Sequence, residues 1–503
     1  MSRAHVSPNA LRVLYRLRDA GFMSFLVGGC VRDLLIGIEP KDFDVATDAL
    51  PEQVRKLFRN CRLIGRRFRL AHVFFGREII EVATFRAATA PALGEEPDGD
   101  PIEGEDQDAD EAVLEAAALD ESDLDEDLPA AVADEDPAHN NGASRTDNTS
   151  AADNHLVARG RVAAADLDDG DAADRLFDET GRILRDNVYG TIDADVWRRD
   201  LTANALYYNI ADFSIWDYVG GFEDIAGRKL KLIGDPETRF REDPVRMLRT
   251  ARFEAKLGFE IDVATAQPIE RLRSLLGSMP PARLFDETLK LFLTGHGTRS
   301  LEVLRRRGLL AALLPTVDDY LAAHPGSVVE RLLVQGLENT DARVGANKPV
   351  TPTFLFALLL YGPIAAIIES APPERWHELA TILDACDRAA REVQSRITLP
   401  KRFSLGMREM FALQPRLEHP RGRRALRVLE HPRFRAAYDL LLLRAQHGMA
   451  SAEMAQWWTR IQEASAEERG RMADSLTAQA PRPEGPRRGG RRRRRRRGPS
   501  APA

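Results

Sequence analysis

Cysteine is scarce in this chain: three in 503 residues, at Cys30, Cys61 and Cys386. They lie far apart and lack metal-ligand spacing, so they read as reduced, buried thiols of a cytoplasmic protein. Long apolar runs are also missing. The longest, Thr353 to Ile368, is broken by Gly362-Pro363 and is shorter than the roughly 20 residues a membrane span needs, so two buried helix segments are expected there. The opening residues, MSRAHVSPNALRVLYRL, hold no apolar signal core, which argues against secretion. Lysine and arginine are absent from residues 87 to 144, where 20 acidic residues accumulate.

That local absence makes the formal net charge of −7 misleading. Residues 482 to 497 hold ten Arg and one Glu, a local charge of +9, and without these two extreme segments the remainder carries +4. The part able to fold is mildly basic, a balance compatible with an anionic partner such as nucleic acid. At this length about three domains are expected.

The chain begins with a helix, Ser7 to Ala20, and a strand, SFLVG, followed by a glycine pair and the short helix VRDLLIG. A DFDVA strand, a helix opened by Pro51 and a hairpin (FRLAHVFF and EIIEVATF about Gly76-Arg77) complete a small α/β sheet within about 86 residues. From 87 to about 178 periodicity is lost, and such a composition cannot offset its ordering entropy, so a disordered acidic insertion is expected. The sheet domain resumes at ILRDNVYGTIDADVWRRDLTANALYYNI, and from DYVGGFEDI to about 465 the apolar spacing is helical. The Arg-rich end is of low complexity and expected to be unfolded.

Two aspartates one residue apart, Asp42 and Asp44, interrupt the apolar FDVA run. In a strand they share a face, while Phe43 and Val45 point to the core. Each would have its pKa raised by the other unless a cation lay between them. A two-metal phosphoryl-transfer site requires that arrangement plus a third acid, for which Glu81 and Asp200 are the candidates. Mg²⁺ prefers few carboxylates completed by substrate phosphates, so two or three suffice. Alternatively, the pair caps a loop against Lys41 and Arg32. Gly28-Gly29 lets backbone amides approach an anion, and Arg32 then contacts triphosphate or ribose. In REDPVRMLRTARF, Asp243, Arg246 and Arg249 follow at three-residue spacing behind Pro244. An acceptor beside a donor matches N6 and N1 of adenine or N4 and N3 of cytosine, and mismatches guanine and uracil. A salt-bridged helix start is the competing reading.

In order along the chain, FLVGGCVRDLLIG…PKDFDVATDA, EVATFR, RRDLTANALYY, DYVGGFEDI and EDPVRMLRTARF resemble the motifs of class II template-independent nucleotidyltransferases. This superfamily holds tRNA CCA-adding enzymes and bacterial poly(A) polymerases. LFRNCRLIGRRFRLAHV, MPPARLFDETLKLFLTGHG, LEHPRFRAAYDLLLLRAQ and the Arg-rich end resemble the poly(A) branch. The acidic insertion is longer than that pattern and takes no role from it. The resemblance implies an α/β nucleotidyltransferase head, 1–230 (insertion 87–178), a helical neck, 231–345, a helical body and tail, 346–465, and a disordered end, 466–503. It makes Asp42 and Asp44 the Mg²⁺ ligands, Asp200 and Glu81 further catalytic carboxylates, and Gly28, Gly29, Arg32, Arg199 and Arg249 contacts to phosphate and ribose. Asp243 and Arg246 would read the base. The implied activity is transfer of AMP from ATP to RNA 3′ ends with release of pyrophosphate, serving mRNA processing and decay, by a monomer that works beside RNA-degradation machinery. CCA addition to tRNA and a non-catalytic RNA-binding scaffold are the alternatives.

Overall fold

A computed structural model describes residues 3–65, 69–76, 78–87, 175–177, 183–186 and 189–479. The chain divides into two compact units, Met1–Glu409 and Met410–Ala503. The acidic insertion, apart from Ala87 and residues 175–177, lies outside the described residues, as does the Arg-rich end beyond Gln479.

The first unit opens with α1 (Pro8–Asp19), whose N-terminal amides at Asn9 and Ala10 donate to the Ser7 hydroxyl. Ala10, Val13, Leu14 and Leu17 form its buried face. β1 (Ser24–Val27) follows, then the short α2 (Gly29–Leu35), β2 (Asp44–Thr47) and α3 (Pro51–Leu57). β3 (Cys61–Ile64), unforeseen from the sequence, precedes the expected hairpin of β4 (Leu70–Phe75) and β5 (Glu78–Thr84). β6 (Arg175–Phe177) and β7 (Ile183–Asp186) make a separate antiparallel pair. β8 (Leu206–Asn209) and β9 (Ile215–Asp217) return to the main sheet, whose order is β3-β4-β5-β2-β1-β8-β9. Only β2 and β5 run parallel within it, because α3 and the β3–β4 turn carry the chain across between them.

One face of this sheet holds Phe25, Val27, Ala46, Phe85, Ala205 and Tyr207, packed with Ile192 and Val196 of α4 (Ile192–Arg198). Phe25 lies at the centre, edge-on to Tyr207 at 6.1 Å and 5.0 Å from Trp216. The chain departs from this sheet and returns to it at a single seam. Arg86 bridges Tyr189, the Gly190 amide donates to Phe85 O at 2.9 Å, and a Cβ on Gly190 would stand 2.6 Å from Ala87 Cα.

After β9 the fold is almost wholly helical, except for a two-residue parallel pair, Lys229–Leu230 with Glu260–Ile261. α5 (Gly221–Ala226) is started by Asp217, whose carboxylate accepts from the amides of Val219, Gly220, Gly221 and Phe222 at 2.9–3.2 Å. α6 (Pro236–Glu242), α7 (Val245–Leu257), α8 (Val263–Leu272), α9 (Pro281–Phe292) and α10 (Gly297–Arg306) come next. Arg252 of α7 meets Glu287 of α9 at 2.6 Å, and Glu254 of α7 receives Arg306 and Arg307 at 2.7 and 3.0 Å. Phe285 of α9 stacks between Phe356 and Phe403 at 5.9 and 6.1 Å. The long apolar run forms the two expected segments, Pro352–Leu359 and Tyr361–Glu369, bent by 48° and largely buried. Among the described residues no single helix is long and apolar enough to cross a membrane.

In the second unit Trp458 is fully buried, 4.9 Å from Trp457 and 5.5 Å from Phe434, and donates its indole N–H to Leu417 O at 2.7 Å. Helical structure passes the expected end at 465, because Ala466–Gln479 is opened by a reciprocal cap between Ser465 and Glu468.

Gly221 gives the sharpest test of this packing. A Cβ there would meet Thr202 O at 2.2 Å, a backbone atom that cannot yield cheaply. Gly221→Ala is expected to cost the first unit about 1–3 kcal/mol, read as a lowered thermal midpoint; an unchanged midpoint would refute the close approach.

Candidate active site

The site is built where β1 ends. Val27 is the last residue of β1 and pairs with Asp44, the first of β2. Gly28 then turns the chain at φ 78°, ψ −130°, a conformation closed to residues with a Cβ. That turn corrects one expectation: Asp42 is not in the strand, since no ladder partner exists beyond Val27. It lies exposed in the irregular segment before β2, while Phe43 and Val45 are buried as expected. On its other side β2 pairs with β5, placing Asp44 opposite Glu81. Paired residues of neighbouring strands share a face, here the Ala46 face.

Three carboxylates thereby act on one another. Burial, then the Glu81 and Asp42 charges, push the Asp44 carboxyl up to about 7, with the Arg199 guanidinium opposing. Partial desolvation and Asp42 likewise raise Glu81, against Arg86 and Lys290. His72 of β4 pairs with Glu81 in register, its Nε2 3.7 Å from the carboxylate. Among the described residues no group of three His, Cys, Asp or Glu could by itself hold a metal ion. The residues nonetheless fit a hard divalent cation completed by substrate oxygens: they are oxygen donors, few in number, and carry a mutual repulsion that such a cation relieves.

Asp200 belongs to a second group. Its carboxylate receives Arg249 Nε at 2.9 Å and Nη2 at 2.7 Å, with the Leu201 amide at 2.8 Å and Asn204 Nδ2 at 3.4 Å. Burial alone would raise its pKa, but Arg249 and these donors hold it well below the usual carboxylate range. Of the two acids proposed as the third member, the structure brings Glu81 to Asp42 and Asp44 and gives Asp200 to Arg249.

Arg32 departs from expectation. It is 1% exposed, donates to Asp33 at 2.6–2.8 Å and to Asn204 Oδ1, and lies over the Phe253 ring at 5.1 Å. The first turn of α2 directs it inward, so it steadies Asn204 and thereby Asp200 instead of facing a ligand. Gly28 makes the turn and Gly29 opens α2, with Arg199 Nη1 3.7 Å from the place a Gly28 Cβ would occupy.

The Arg246 amide donates to Asp243 O at 3.0 Å, but their side chains form no ion pair with each other. Asp243 is held by Arg283 of α9 through two contacts, 3.3 Å to Oδ1 and 3.1 Å to Oδ2. Against the effect of burial, Arg283, Arg246 and Arg249 lower its pKa. Arg246 donates to Arg239 O and to Glu242 at 2.9 and 3.0 Å. Arg283 was missed because it is 40 residues away in sequence. Arg239 was missed too; its guanidinium grips the carbonyls of Arg198 and Arg199 at 2.8–2.9 Å.

A small mixed sheet with a glycine turn, facing carboxylates and a following helical array defines a nucleotidyltransferase, and similar solved structures support that fold. A tRNA-processing enzyme (apo form 2) matches with a TM-score of 0.51 at 16% identity, covering 92% of this chain and 99% of that one. The apo form II of a CCA-adding enzyme gives 0.50, with 92% and 86% covered. Family models describing the poly A polymerase head domain match residues 24–120 and 143–231, the probable RNA and SrmB-binding site of polymerase A matches 258–321, and the polymerase A arginine-rich C-terminus matches 374–498. Poly(A) polymerase I of Salmonella typhi is 41% identical over 97% of this chain and 91% of its own length, and that of Haemophilus influenzae 38% over 95% and 89%. The CCA-adding enzyme of Bacillus pumilus is 27% identical over 59% of this chain and 52% of its own length. The chain belongs to the poly(A) polymerase family.

Asp44 yields a pH prediction for metal-free protein. Its folded-state pKa of about 7 exceeds the ordinary carboxylate value. The folded form therefore keeps a proton that the unfolded chain loses near pH 4. Stability is greatest below the unfolded value and declines as pH rises through about 7. Asp44→Asn should abolish that decline, so its melting temperature exceeds wild type above pH 7 and the gap closes below about pH 4; parallel curves would refute the raised pKa.

Proposed function

We infer that this protein is a polynucleotide adenylyltransferase that adds AMP from ATP to RNA 3′ ends without a template and releases pyrophosphate, marking RNA for processing and decay. Likeness to named poly(A) polymerases along nearly the whole chain supports this reading, whereas the CCA-adding enzyme of Bacillus pumilus matches 59% of it. The observation that carries the chemistry is the meeting of Asp42, Asp44 and Glu81 beside the Gly28 turn.

In this reading Asp42 and Asp44 hold Mg²⁺, which when bound lowers the pKa of the RNA 3′ hydroxyl and neutralises triphosphate charge. Glu81 supports the pair from the neighbouring strand. The Gly28–Gly29 backbone and Arg199 receive the triphosphate, and Arg249, fixed by Asp200, lies toward the sugar. Positioning and fixed charge supply most of the rate gain. The helical segments 231–345 and 346–465 carry the RNA strand. Asp243 accepts from adenine N6 through the lone pairs that Arg283 leaves free, and Arg246 donates to N1. Because the Arg283 contacts hold the carboxylate on both oxygens, it cannot follow the shorter reach of cytosine.

Asp42→Ala or Asp44→Ala is expected to abolish AMP incorporation into a short oligoadenylate while the thermal midpoint stays within a few degrees of wild type. Near-normal turnover in either variant would remove the assignment. Offering each of the four nucleoside triphosphates should give extension by ATP alone; addition of two C and one A to a tRNA lacking its terminal CCA would favour CCA addition. Arg283→Gln should raise CMP incorporation relative to AMP by about tenfold, the equivalent of roughly one charged hydrogen bond, and an unchanged ratio would show that Asp243 is held by other means.

A further inference from the structure

Behind the glycine turn, two buried side chains with no part in the chemistry above, Tyr207 and Asp195, hold the half-buried Arg199. Tyr207 of β8 is fully buried, and its hydroxyl donates to Asp195 Oδ2 at 2.6 Å while accepting from Arg199 Nε at 2.7 Å. Asp195 Oδ2 also receives Arg199 Nε at 3.2 Å and Nη2 at 3.0 Å, and Asp195 Oδ1 accepts from the Arg86 amide at 3.2 Å. The Arg199 guanidinium lies 5.0 Å over the Tyr207 ring. Two of its three nitrogens are therefore engaged, and the third, Nη1, is the one against Gly28.

The phenol oxygen fills no gap in the core, and beyond its one contact with the Arg86 amide the Asp195 carboxylate is spent on Tyr207 and Arg199. A phenylalanine would fill the same space between Phe25 and Phe85, and a buried carboxylate is costly unless paired. Their joint effect is to remove the rotameric freedom of a long side chain, which otherwise opposes every contact the guanidinium makes. The ring is anchored in the same core cluster as Ala46, two residues from Asp44. The fork is thus referenced to the strand that carries the catalytic carboxylate.

We propose that Tyr207 and Asp195 are positioning residues that aim Arg199 at the phosphates of the incoming nucleoside triphosphate, and that they set the enzyme's affinity for triphosphate and pyrophosphate without touching either. The proposal rests on Arg199 receiving the triphosphate, as argued above. It deepens that assignment by giving the arginine its two supports.

The test uses the full-length protein with Mg²⁺, ATP and an oligoadenylate primer. Tyr207→Phe keeps the ring and loses one donor and one acceptor. It is expected to raise KM for ATP and the inhibition constant of pyrophosphate together, each by about tenfold, the scale of one hydrogen bond to a charged group. KM for the primer should hold within twofold. In an Arg199→Lys background, where the fork is already lost, Tyr207→Phe should add nothing further. The proposal is overturned by a lower melting temperature with unchanged ATP and pyrophosphate constants, by equal changes in ATP and primer constants, or by additive effects of the two substitutions. Should Tyr207→Phe not fold, Asp195→Asn, nearly isosteric, is put through the same measurements with the same expected pattern. An Arg199→Lys enzyme with wild-type KM for ATP would instead sink the phosphate role of Arg199 itself.

Discussion

Repulsion among three carboxylates, two of them held in place by strand register, is the constraint on which the rest of the structure depends. Asp44 and Glu81 are opposed because β2 and β5 run parallel and in step, and a one-residue slip of either strand would send its carboxylate to the other face. Asp44 stands at the first residue of β2, at the border of the aromatic and apolar cluster on the same face. The fold holds an electrostatic excess there that a proton on Asp44 or a bound cation relieves.

Around that excess the protein arranges arginines in two different manners. Arg32 is consumed by its own structure and acts through Asn204 on Asp200, whereas Arg249 keeps 43% of its side chain exposed while gripping that same acid. Arg199 is intermediate, braced on one side and open on the other. Glu242 takes both Arg239 and Arg246, which keeps the start of α7 in a fixed relation to the Arg198–Arg199 carbonyls. The chain from Asp33 through Arg32, Asn204 and Asp200 to Arg249 ties the head to the first long helix beyond it.

Much of this was legible in the sequence because it is local. Ser7-Pro8, the Gly28 turn, Pro51 and the Gly76-Arg77 hairpin each declare an element boundary through backbone chemistry, and the order of motifs identified the family. Asp42 was misplaced into the strand because the alternating pattern continues through Phe43, while the ladder is ended by a turn in the other strand. Arg32 was misread because spacing cannot tell whether a short helix turns an arginine in or out. Arg283 carries no local mark at all; its meaning exists only once α9 has packed beside α7. The final helix did carry one, the Ser-x-x-Glu cap at Ser465, overlooked beside the compositional shift that follows.

The seam at Arg86 and Tyr189 has a consequence for what the chain can accommodate. Its two sides meet through a backbone bridge, a hydrogen bond from Gly190 to Phe85 and an approach so tight that only glycine fits. Such a junction behaves as an insertion port, where sequence can lengthen, shorten or diverge in character while the strand bearing Glu81 and the helix leading to Arg199 keep their geometry.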